Sequence, residues 1–321
     1  MRQVSIHSFG DPSVLRLEEV PDPSLSPGEV LVDVHYAGLN PLDHKMRDGS
    51  SARARQLTLP CSLGREFSGR LVAAAPDVDL RDEGLAVGDW VFGMRGSDDW
   101  RGCYAERITI DRAAVAKVPD EGRATLPAFA GLPIAGTTAV TAIEQARIVP
   151  GETVLIHGGT GGVGQMLVPL ALMRGAKVWA TGRAANAERI RELGARPIPY
   201  DATDWREMIL DATDGRGVDV IIDTHYFQTF LPSLDHLADG GRIVALPTLA
   251  DLTPAHERGI EASIPSPREG RDTLDMLART LVSGRLPVEV SEVFALSDVA
   301  RAHAQLEHGH TRGKLVLDTR V

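Results

Sequence analysis

Gly159-Thr160-Gly161-Gly162-Val163-Gly164 is a G-x-G-x-x-G run set between the β-branched segment Val154–Ile156 and the apolar, helix-like segment Gln165–Arg174. In such a run one glycine permits a tight turn, another lets the backbone approach a pyrophosphate, and a third lets helix pack on strand. The helix N-terminus adds N–H donors and the positive end of its dipole. A chain with 32 glycines produces that spacing by chance. It is the strand–turn–helix–strand context that makes Gly159, Thr160, Gly161, Gly162, Val163 and Gly164 a candidate dinucleotide cradle. An acid closing the next strand would accept from the ribose 2′-OH of NAD. Here that strand closes on Thr181-Gly182-Arg183, with no acid before Glu188. A planar guanidinium at Arg183 suits a 2′-phosphate instead, so NADPH is the expected cofactor, with Lys177 and Tyr200 as further candidates for the phosphate.

A second group of reactive side chains is Asn40-Pro41-Leu42-Asp43-His44-Lys45, placed on a loop after a strand. The Asn40 amide can donate to a carbonyl oxygen or cap the turn before Pro41. His44 titrates near neutrality and is a candidate proton donor, or an ordinary loop histidine. The only cysteines, Cys61 and Cys103, supply neither a disulfide framework nor a multi-thiolate metal site. They read as buried thiols. Lys and Arg total 34 against 44 Asp and Glu, a net charge of −10 that disfavours a nucleic-acid binder. The N-terminus shows no secretory pattern, and the longest apolar run, Met166–Met173, is far short of the roughly 20 residues that span a bilayer. A cytoplasmic, soluble protein with no membrane partner is expected.

These groups must be positioned by an α/β chain of two domains. The first third alternates short strands with Pro, Gly and Asp clusters: Val4–His7, Leu15–Val20, Val30–Ala37, Ser68–Ala74, Gly88–Phe92 and Tyr104–Ile110. That pattern predicts an antiparallel β domain. In Leu31–Tyr36 the apolar Leu31, Val32, Val34 and Tyr36 oppose Asp33 and His35. The middle alternates strand and helix, with strands at Val154–Ile156, Lys177–Ala180, Val218–Asp223 and Arg242–Leu246, which predicts a doubly wound parallel sheet. The tail, with strands at Val288–Phe294 and Lys314–Asp318, follows a Pro-rich stretch at 263–270 that suits a crossing between domains.

The ordered blocks at 17–43, LGREFSG at 63–69, VGDWVFG at 87–93, IAGTTAV at 134–140, 150–165 and GKLVL at 313–317 resemble the medium-chain dehydrogenase/reductase superfamily, in its zinc-independent quinone oxidoreductase branch. The resemblance implies a GroES-like β domain, 1–122 completed by 266–321, interrupted by a Rossmann domain at 123–265. It places Asn40, Arg65 and Ala130 at the positions of the Cys, His and Cys that hold catalytic zinc in relatives, so no zinc is expected. It implies hydride transfer from NADPH to a quinone or an α,β-unsaturated carbonyl, whose oxygen needs only a hydrogen-bond donor and a proton. Lys45 stands where many such reductases carry Tyr, and its ammonium is a candidate to polarise the acceptor. Thr138 matches a threonine on the nicotinamide side. Leu246, Arg312 and Lys314 are further cofactor candidates, the last two at the diphosphate or as surface charges. A homodimer is implied, through a sheet edge near Gly241–Leu246. The turn Asp223–Tyr226 departs from the family's glycine-containing one. A nucleotide-binding scaffold with little catalysis is the alternative, and an enoyl-thioester reductase a further one, which the short Leu246–Ile264 segment disfavours.

Overall fold

A computed structural model describes residues 1–266 and 270–321; residues 267–269 of the expected crossing lie outside the described residues. The chain forms two compact units, one of Met1–Ile134 with the C-terminal stretch ending at Val321, the other beginning at Ala135. The helix Leu126–Ala130 packs on the strands Glu29–Gly38 and Glu66–Ala74 of the first unit, so that unit runs further than the expected boundary at 122.

The first unit is built on the strand Glu29–Gly38, whose Val30, Val32 and Val34 are buried. Its seven-stranded sheet runs Val290–Ala295, Lys314–Asp318, Glu29–Gly38, Glu66–Ala74, Trp90–Met94 and Val115–Lys117, with Arg107–Asp111 also paired to Glu29–Gly38. A register shift between Val34 and Tyr36 breaks the alternation expected there, leaving Tyr36 half-buried and returning Ala37 to the core. A three-stranded sheet of Arg16–Glu19, Arg2–Ile6 and Cys61–Ser62 completes the unit. The expected loop at 40–45 is instead the helix Pro41–Arg47, which starts on a proline that lacks the N–H a first turn would leave unpaired.

The second unit is a six-stranded parallel sheet in the order Arg196–Pro199, Lys177–Gly182, Thr153–His157, Val218–Asp223, Leu237–Ala245, Glu261–Ser263. Winding reverses between Thr153–His157 and Val218–Asp223, where open α/β sheets place ligands. Two strands escape sequence reading. Arg196–Pro199 carries two prolines, tolerated because it is an edge, and Glu261–Ser263 is only three residues long. The segment expected at a dimer edge is interior: Arg242, Ile243 and Val244 pair with Val218–Asp223 on one side and Glu261–Ser263 on the other. Among the described residues no single helix is long and apolar enough to cross a membrane.

Candidate functional site

In the second unit the strand Thr153–His157 runs into the glycine turn, and the helix Gly164–Met173 leaves it. The backbone approach there is close enough to require glycine. Gly158 has φ +76°, and a Cβ on Gly164 would lie 2.0 Å from Gly158 O. A Cβ on Gly159 would lie 2.6 Å from Ala180 Cβ on the next strand. Gly161, Gly162 and Val163 remain half-buried at the helix N-terminus. Close backbone approach and a partly exposed helix N-terminus are what a pyrophosphate needs, so the residues fit a dinucleotide.

Register brings two of the phosphate candidates together. Gly182 pairs with Pro199, so Arg183 and Tyr200, both exposed, follow the ends of neighbouring parallel strands, and Tyr200 N–H donates to Gly182 O at 3.1 Å. Lys177 does not join them: it begins the strand that Gly182 ends, about 16 Å away along extended chain. Thr160 Oγ1 accepts from Asn186 Nδ2 at 3.4 Å, a partner that sequence reading missed. Thr138 lies half-buried inside the helix Pro133–Ala146, and Leu246 follows the strand Leu237–Ala245, its N–H donating to Asp223 O.

The unusual turn after Val218–Asp223 lies against the cradle. Asp223 is fully buried; its carboxylate accepts from the N–H groups of His225 and Tyr226 and from Thr229 Oγ1. Thr224 Oγ1 donates to His157 O, and the His225 ring reaches 2.4 Å from a Cβ built on Gly158. His157, buried beneath the turn, bonds Ser233 Oγ at 3.0 Å, and burial holds its imidazole down at about 4.

In the first unit three strands bring together residues remote in sequence. Gly38 pairs with Glu66 on one side and Val316 on the other, which carries Lys314 alongside Asn40. Gly38 must lack a side chain, since a Cβ would lie 2.5 Å from Glu66 Oε1 and 2.4 Å from Ala130 O. Lys314, expected at the cofactor diphosphate, is instead 4% exposed; its ammonium donates to Leu39 O, Asn40 Oδ1 and Glu66 Oε1 at 2.7–2.8 Å. Asn40 Nδ2 donates to Glu66 Oε1 at 2.8 Å, and Glu66 Oε2 accepts Ile134 N–H. Asn40 therefore gives its amide oxygen and one amide N–H to this cluster. Capping of the helix comes from Asp43, whose Oδ2 accepts Asn40 N–H.

The remaining candidates are separate. Lys45 is exposed on the helix Pro41–Arg47. His44 turns Nδ1 towards Glu307, 3.9 Å away, and burial holds its imidazole below the ordinary value. Arg312 pairs with Glu289 at 2.7 Å. Burial pushes both cysteine thiols up to about 11, so neither is a ready nucleophile.

The cluster does not suit zinc. Asn40 Oδ1 is held by an ammonium, Arg65 has no lone pair and stacks on Trp100 at 4.4 Å, and Ala130 has no donor atom.

Comparison with known proteins agrees with this architecture. Residues 26–120 match the alcohol dehydrogenase GroES-like domain family, and 193–317 the zinc-binding dehydrogenase family. The chain is 30% identical to the "Probable quinone oxidoreductase" of Schizosaccharomyces pombe, over 98% of this chain and 96% of that one. It superposes on the quinone oxidoreductase of Coxiella burnetii with a TM-score of 0.92 at 33% identity, covering 100% and 99% of the two chains. On the Escherichia coli quinone oxidoreductase complexed with NADPH the TM-score is 0.88 at 26% identity, covering 99% and 100%. It also matches the "Mycocerosic acid synthase-like polyketide synthase" of Mycobacterium tuberculosis at 30% identity and the "Phthioceranic/hydroxyphthioceranic acid synthase" of Mycobacterium bovis at 31%, over 98% of this chain but only 15% of the length of either. The chain belongs to the medium-chain dehydrogenase/reductase superfamily, with the quinone oxidoreductases among its relatives.

Proposed function

We propose that this protein is an NADPH-dependent oxidoreductase that reduces a quinone or an α,β-unsaturated carbonyl compound without zinc. The observation that carries the reading is the glycine cradle followed, on the next two strands, by Arg183 and Tyr200. Bound NADPH supplies a hydride. Gly162 and Val163 offer backbone donors to its pyrophosphate, the Gly161 N–H being held by Gly158 O, and Arg183 answers the 2′-phosphate with a bidentate fork. The Asn40 amide offers an N–H to the acceptor oxygen as negative charge grows on it, the service a Lewis acid would otherwise perform. His44 and Lys45 are the side chains of the same helix from which a proton can come.

Fluorescence titration with NADPH and NADH, followed by NADPH consumption with quinones, enones and enoyl thioesters, tests the reading. Tight NADPH binding and turnover of quinones or enones are expected. NADPH bound but unconsumed across the panel would leave a nucleotide-binding scaffold. The same reading makes the enzyme a zinc-free, cytoplasmic homodimer: metal analysis should find no stoichiometric zinc, and chelators should leave turnover unchanged.

A further inference from the structure

The Asn40 amide is held between side chains of opposite charge. An ammonium has only donors and an ionised carboxylate only acceptors. Lys314 Nζ at 2.7 Å must therefore face the amide oxygen, and Glu66 Oε1 at 2.8 Å must face the amide nitrogen. Rotating the amide by half a turn would set oxygen against carboxylate and NH₂ against ammonium, in a place where Asn40, Lys314 and Glu66 are 6%, 4% and 0% exposed. The amide thus has one orientation. One N–H of Nδ2 goes to Glu66, and the other has no acceptor among the described residues. A charged donor on the amide oxygen also draws electron density from nitrogen, which strengthens the remaining N–H as a donor.

We propose that Lys314 is a positioning residue: through Asn40 Oδ1 it fixes the direction and strength of the N–H that Asn40 presents to the acceptor oxygen. This rests on Asn40 serving as the acceptor's donor. Lys314 touches no substrate in this assignment, since its three protons are taken by Leu39 O, Asn40 Oδ1 and Glu66 Oε1. Lys314 meets Glu66 directly at 2.8 Å, so neutralising that carboxylate does not account for its further bond to Asn40 Oδ1 at 2.7 Å.

Lys314→Met alone strands a buried carboxylate and can fail to fold, so the test pairs it with Glu66→Gln. The double variant is compared with Asn40→Ala and with the triple variant, reading kcat/KM for a quinone and the Kd for NADPH. The double variant and Asn40→Ala are each expected to lose about 10-fold or more in kcat/KM, with NADPH affinity unchanged and the triple variant no worse than Asn40→Ala. Losses that multiply, or a folded double variant within about twofold of the parent, would overturn the proposal. The side-chain amide resonances of Asn40 in labelled protein give a readout free of turnover. They should move in the double variant, and resonances left in place overturn the clamp. A parent that reduces no acceptor sinks the reductase reading, while these resonances still decide whether Lys314 orients Asn40.

Discussion

The Tyr104 hydroxyl donates to Asp43 Oδ2 at 3.0 Å, and the same oxygen accepts the Asn40 backbone N–H. Both side chains are buried, so the turn that presents Asn40 is anchored from beneath by a carboxyl group. Burial, outweighing these two hydrogen bonds, pushes the Asp43 carboxyl up to about 6.

That shift has a definite sign. A carboxyl with a folded value above its unfolded 3.8 holds its proton better in the folded state. Its contribution is full below pH 3.8 and is lost as pH rises through about 6. Asp43→Asn keeps an acceptor oxygen but cannot ionise. Relative to the parent it should gain stability between about pH 4 and 7, by on the order of 3 kcal/mol. Urea denaturation across that range reads the difference, and parallel profiles for the two proteins would refute it.

Arg183 is exposed, and its expected role is confined to the 2′-phosphate. Arg183→Ala should weaken NADPH binding by about 10- to 100-fold, the worth of a charged hydrogen-bonded contact, and leave NADH binding nearly unchanged. Equal losses for both cofactors in a fluorescence titration would count against the assignment.

The glycines of the cradle are not equivalent. Gly164→Ala sets a methyl 2.0 Å from Gly158 O, a clash with backbone that cannot yield cheaply. It should cost about 2 kcal/mol or more in stability and abolish cofactor binding. At Gly161 the nearest atom to a new Cβ is Gly158 O at 3.5 Å, an ordinary contact. Gly161→Ala should keep its melting temperature and lose only affinity, where the methyl meets the dinucleotide. A melting temperature equally depressed in both variants would contradict this.

His157 lies beneath the same turn with its imidazole pushed down to about 4 by burial. Its folded value is below the unfolded 6.5, so its contribution is present above pH 6.5 and is lost as pH falls towards 4. Amide exchange at Gly158–Gly164 should accelerate over that window, and NADP⁺ affinity should fall with it. In His157→Gln, which still reaches for Ser233 but does not titrate, the acid sensitivity should shrink. An unchanged acid profile in that variant would remove His157 as its source.

Local pattern carried much of the architecture. Alternation in Glu29–Gly38, the β-branched run before the glycines and the closing Gly182-Arg183 follow from side-chain period and backbone sterics, which neighbouring residues decide among themselves. At the positions where the resemblance puts zinc ligands in relatives, Arg65 and Ala130 are residue types with no ligand atom to give. The helix Pro41–Arg47 was missed because Asn40-Pro41 reads as a turn until Asp43 is seen to cap Asn40 N–H. Lys314 was misplaced for a deeper reason. It lies 274 residues from Asn40 and 248 from Glu66, and only the register of three strands brings the three together. A buried ammonium is tolerable only where a carboxylate and carbonyl oxygens meet it, and long-range pairing decides which residues those are. The chemistry each side chain can do was written in its type; which of them face one another was decided by the sheet.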